Sequence, residues 1–264
     1  MEGLFVPEID HDPWVIYHGT SQVREATIDR EGFCLPSFPF NRMQLESILQ
    51  LFDWLRWDGL SEAKGVVEAW SLNHAHREGN EGAIFFAGTS IEALTFASHA
   101  FAGGEKLYSV RGALAELHQF MASDELRRNH WAAQEKKYRR MVAEGFPSDW
   151  LRKNQPVEID LPRLQAELEA LEPLRAEANA IQDRHAYGLV YAVRLEPSDL
   201  ASLKDQGGMG ILATRPIPAE RILGKVIIPR DKEPKRWFST PMHPYHWEMG
   251  VLFELHHASN SKVN

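Results

Sequence analysis

The first residue placed for chemistry is an imidazole, His18. It follows the apolar run Trp14-Val15-Ile16-Tyr17 and precedes Gly19 and Thr20. There it can hydrogen-bond a ribose hydroxyl, while the glycine lets a flat amide approach the backbone. The same pair also reads as an ordinary turn after a strand. A second concentration is Arg127, Arg128, Lys136, Lys137, Arg139 and Arg140 around Trp131 and Tyr138. Such a stretch can track a nucleic-acid backbone while its rings stack on bases. A solvated helix face with both aromatics turned inward gives the same pattern. His243, His246, His256 and His257 lack a cysteine pair and zinc-ligand spacing, so no metal is expected. Gly103-Gly104 and Gly207-Gly208 lack the lysine and hydroxyl residue of a phosphate loop, no Gly-x-Ser-x-Gly elbow occurs, and Cys34 has no evident partner base.

The elements that must hold these residues follow from composition and periodicity. The 264 residues are 44% hydrophobic and 25% charged, with a mean hydropathy of −0.37, the balance of a soluble globular protein. No stretch reaches the ~18 apolar residues of a membrane span, and acids stand where a secretory leader has a basic head. A cytoplasmic site of action is expected, with delivery into another cell left open. The net charge of −8 argues against nucleic-acid binding by bulk charge and leaves a local basic patch open.

Strand character is expected at Trp14–Tyr17, in the short run Ala83–Ala87, at Gly188–Leu195, at Ile211–Thr214 and at Ile222–Ile228. Leu45, Ile48, Leu49, Phe52 and Leu55 predict a helix over 44–57. Thr89 or Ser90 can cap another running to about Ala100. From about 112 to 183 the composition is helical: Leu161, Leu164, Leu168 and Leu171 repeat, Pro173 interrupts, and Leu174, Ala178 and Ile181 resume. The expected organisation is a core half at 1–111, a helical insertion at 112–184, a second core half at 185–230 and a tail at 231–264 that wraps the core.

Taken together, Tyr17-His18-Gly19-Thr20, the run Gly82-Ala83-Ile84-Phe85-Phe86-Ala87 and the helix with Ala93, Phe96 and Ala97 resemble the first two motifs of the ADP-ribosyltransferase superfamily, in its diphtheria-toxin and PARP-like branch. The resemblance covers about 14–34, 82–110 and 188–228. It implies an α+β fold, a split β-sheet core with the helical block as an insertion. It implies NAD as substrate, with no metal, and transfer of ADP-ribose to a macromolecule, protein or nucleic acid, as a toxin or effector does. On that pattern His18 holds a ribose, the Gly19 backbone meets the nicotinamide amide, and Phe85 stacks on its ring in place of the usual tyrosine. Thr20 and Ser90 complete the expected cofactor contacts. The third motif is a strand that usually begins with a catalytic glutamate. Gly210 to Thr214 and the turn Pro216-Ile217-Pro218-Ala219-Glu220-Arg221-Ile222 resemble it, but Gly210 or Met209 takes the acid's position. Gln206 is the nearest polar side chain upstream and Glu220 the nearest acid downstream, with Glu196 and Glu248 as further candidates. A catalytically degenerate NAD-binding relative and an NAD-dependent RNA 2′-phosphotransferase-like enzyme are the alternatives.

Overall fold

The structure is a computed structural model and describes residues 4–34, 42–56, 83–205 and 210–230. The chain is mixed α+β and divides into two compact units. Residues 4–34, 83–108, 180–205 and 210–230 form the first, and 42–56 with 109–179 form the second. The helix expected from Leu45 to Leu55 therefore belongs with the helical block rather than with the first core half.

In the first unit, β1 (Val15–Ser21), β3 (Tyr187–Arg194) and β6 (Ile222–Pro229) make an antiparallel sheet in the order β1-β3-β6. A second antiparallel sheet has the order β2-β5-β4, from β2 (Ile84–Phe86), β4 (Leu203–Asp205) and β5 (Ile211–Ala213). β1 outruns its predicted end at Tyr17, because seven residues from Val15 to Ser21 find partners on β3 between Arg194 and Gly188. His18 and Gly19 therefore lie inside a strand rather than in a turn.

Side-chain alternation gives the first sheet two apolar faces. Ile16, Leu189, Tyr191 and Val193 join Ile84, Phe86, Ile211 and Ala213 of the second sheet, with Phe33 and Ile28, in one buried cluster. On the other face Val15, Tyr17, Val190 and Ala192 meet Ala93 and Ala97. Each large side chain fully buried in this way contributes about 1.5–3 kcal/mol. Ile28 comes from α2 (Glu25–Glu31), which follows the short helix α1 (Pro7–Asp10) and β1 in the chain.

In the helical unit α3 (Arg42–Trp54) buries Leu45, Ile48, Leu49 and Phe52, the stripe its spacing predicts. After α4 (Ser90–Phe96) come α5 (Glu105–Ala122), α6 (Asp124–Ala143), α7 (Ser148–Asn154) and α8 (Leu161–Asp183). A ring nitrogen of His130 and the side-chain amide of Gln134 donate to the Leu55 carbonyl at 2.7 and 3.0 Å, which ties α6 to the end of α3. α4 is shorter than predicted, since the chain turns at Ala97 and resumes as a 3-10 turn at His99–Phe101. Pro173 does not interrupt α8. It sits on the exposed side, where the buried row Leu164, Leu168, Leu171, Leu174 and Ala178 holds the helix on either side of it.

Candidate functional site

His18 occupies the point where β1 parts from β2. Tyr17 and Ala87 exchange backbone hydrogen bonds, Tyr17 N–H to Ala87 O at 2.9 Å and Ala87 N–H to Tyr17 O at 2.7 Å. Extending that antiparallel register would set Gly19 opposite Phe85, but the two strands separate there. In a strand, residues 17 and 19 aim their backbone polar groups to the same side. Gly19 N–H and C=O therefore face the open edge beside β2, away from β3, and meet no backbone partner among the described residues.

The His18 side chain spans the parting. Its Nδ1–H donates to the Phe85 carbonyl at 2.8 Å, and this acceptor fixes the proton on Nδ1 and leaves Nε2 a lone pair. Phe33 meets the ring edge-on at 4.9 Å between centroids, and Phe86 lies at 5.4 Å. Burial pushes the His18 pKa down to about 4, the Phe85 carbonyl opposes that, and the Arg24 charge lowers it further. At neutral pH the side chain is an uncharged acceptor.

Gly19 answers to a second constraint on its other side. A Cβ there would stand 1.7 Å from the Ala93 carbonyl oxygen, and one at Gly188 would stand 2.0 Å from that of Ala97. The pair lets α4 lie against the first sheet. Phe85 is half-buried and points away from the core that takes Ile84 and Phe86, on the face shared with Ala87. Thr20 is half-buried on the same face of β1 as His18. Ser90 is 2% exposed, and its Oγ accepts from Leu4 N–H at 3.0 Å, so this hydroxyl holds the N-terminal segment in place. Thr89, not Ser90, caps α4, accepting from Glu92 N–H at 3.2 Å.

The acid expected at the start of the third-motif strand has no place at Gly210. Gly210 has φ +105°, and a Cβ would lie 2.7 Å from the Phe86 carbonyl oxygen, so glycine is required at the entry to β5. Glu220 is exposed in the 3-10 turn Ala219–Arg221 between β5 and β6. Glu196 pairs with Arg221, which also approaches Asp199 at 3.6 Å. Both glutamates are thus on outer turns. Gln206, Met209, Glu248 and the four tail histidines lie outside the described residues.

Two contributors escaped the sequence reading. Phe33, whose backbone bonds Ile217 in both directions, packs its ring on His18. Gly32, with φ +76° at the end of α2, was the signal for that turn. Arg24 lies half-buried at the end of the 3-10 turn Gln22–Arg24, and burial lowers its pKa.

On the helical unit Arg127 is tied down, its side chain 15% exposed, paired with Asp124 and donating to the Phe120 and Met121 carbonyls. Arg139 pairs with Glu135 and Arg140 with Glu144. Trp131 is 44% exposed rather than turned inward, and Tyr138 is half-buried.

Among the described residues no group of His, Cys, Asp and Glu could hold a metal ion, and no helix is long and apolar enough to cross a membrane. Comparison with protein-family models, curated proteins and solved structures finds no match.

Proposed function

We propose that the chain is an NAD-dependent ADP-ribosyltransferase with a macromolecular acceptor, built on an ADP-ribosyltransferase-like split sheet. The observation that carries this reading is the parting of β1 from β2 at Gly19 and Phe85, which leaves a buried backbone donor and acceptor side by side. A primary carboxamide matches that pair, its oxygen accepting from Gly19 N–H and its NH₂ donating to Gly19 C=O. Phe85 offers a ring face to the nicotinamide. His18 Nε2 accepts from a ribose hydroxyl, and Thr20 on the same face adds a second polar contact.

The reaction breaks the bond between the nicotinamide nitrogen and the anomeric carbon. Nicotinamide leaves with the bonding electrons, and the acceptor forms the new bond to that carbon and loses its proton. With glycine where the third motif's acid would stand, either the acceptor is a nucleophile that needs little activation or the acid comes from elsewhere in the chain. Incubation with NAD and a cell extract tests the reading: the wild-type chain releases nicotinamide, and folded His18→Ala does not. Equal release by both would sink the assignment.

Gly210 favours a second reading, a relative that binds NAD without turning it over. Calorimetric NAD binding with no nicotinamide released beside any acceptor would establish it. An RNA bearing an internal 2′-phosphate, with loss of that phosphate as readout, tests the phosphotransferase alternative.

For the acceptor, the exposure of Trp131 on the helix that also exposes Arg128 and Lys136 favours nucleic acid. Among the described residues neither cation has an ionic partner, whereas Arg127 is withdrawn from the set.

A further inference from the structure

We propose that Arg24 holds the diphosphate of the bound dinucleotide, which extends the candidate site from His18 to the turn between β1 and α2. This rests on the NAD reading of His18 and Gly19.

Arg24 comes three residues after the last residue of β1 and directly precedes α2. α2 lies on the face of the first sheet that carries His18. Ile28 joins the cluster containing Ile16 and Phe86, the Tyr191 hydroxyl donates to Asp29 at 3.1 Å, and the Tyr187 hydroxyl donates to Glu25 at 2.7 Å. The acids near Arg24 in sequence are already engaged. Lys225 Nζ pairs with Glu25 at 2.7 Å and with Asp29. Among the described residues the Arg24 guanidinium makes no hydrogen bond or ion pair, although it is half-buried.

A cation drawn partly out of water without a counter-charge gives up hydration that a bound anion would restore. The planar fork of arginine suits phosphate oxygens, which it can bind in pairs. In a dinucleotide the diphosphate is joined to the ribose through its 5′ carbon, so a phosphate ligand must stand near the group that holds the ribose. Arg24 meets that condition, since it stands in the turn that follows His18 and Thr20 on β1, and the helix it leads into packs on the sheet face that carries His18.

Calorimetry on the full chain with three probes tests this: NAD, inorganic diphosphate, and nicotinamide riboside, which carries ring and ribose without phosphate. Arg24→Gln is expected to weaken NAD and diphosphate by about tenfold or more and to leave nicotinamide riboside within about twofold, with Arg24→Lys between. Circular dichroism and thermal melting confirm that the variants fold. Unchanged NAD and diphosphate affinity in folded Arg24→Gln overturns the proposal, as does an equal loss for all three probes, which marks a structural role. Wild-type protein that binds diphosphate through Arg24 but not NAD keeps the anion site and removes the dinucleotide reading. Wild-type protein that binds neither removes both.

Discussion

Burial sets what His18 can do. Inside the fold its pKa is about 4 against 6.5 for an ordinary histidine, so the unfolded chain takes up a proton first as the pH falls. The linkage sign follows: this contribution to stability is complete above pH 6.5 and is lost as the pH drops towards 4, by up to about 3 kcal/mol. Urea midpoints measured across that range should fall more steeply for the wild type than for His18→Gln, in which the titrating group is gone. Gly19 is bound by space on one side and by its open edge on the other. Gly19→Ala would drive a methyl group into the Ala93 carbonyl, so α4 must lift and stability should fall by about 3 kcal/mol or more. A melting curve that matches the wild type would contradict that packing. The types of these two residues were legible in the sequence. Phe33 and Arg24 were not, because their relation to His18 is made by a turn and a short helix rather than by spacing along the chain.

At the scale of elements, the decisive feature is a pair of strands that touch at Tyr17 and Ala87 and then separate. Short apolar runs bounded by turn residues, and alternation in β3, located β1, β2, β3, β5 and β6 to within a few residues. They could not show that β1 runs on past His18, since Gly19 and Thr20 carry turn propensity and only the ladder with β3 outweighs it. Pro173 was misread for a related reason. Local propensity predicts a break, and the buried leucines on both sides keep α8 continuous through it. Because Pro173 is exposed, Pro173→Ala should restore a helical hydrogen bond without disturbing packing. It should raise stability by about 1 kcal/mol or more. Chemical denaturation reads that gain directly, and a loss would mean that the proline ring packs in a way its exposure does not suggest.

Over the whole molecule, charge is unevenly spread. The chain carries −8, yet residues 123–155 hold eight Arg and Lys against five Asp and Glu. Trp131 and Trp150 stand exposed in that stretch, at 44% and 59%. If this surface takes single-stranded nucleic acid, affinity should fall as salt rises, and Lys136→Ala should flatten that dependence. Trp131→Ala should weaken binding at every salt concentration by about 1–3 kcal/mol, the worth of one stacked base. Fluorescence anisotropy with a labelled oligonucleotide reads both, and binding indifferent to Trp131 would return the helix to a solvated face. The sequence by itself determined the α+β class, the helical block and the identity of the His18-Gly19 pair, because periodicity and residue type are local properties. Tertiary structure alone decided that Gly19 presents its backbone at an open edge, that the entry to β5 at Gly210 admits only glycine, and that Arg24 leads into the helix on the face of His18 with no carboxylate partner among the described residues. Each of these depends on contacts between segments far apart in the chain, which residue order does not encode locally.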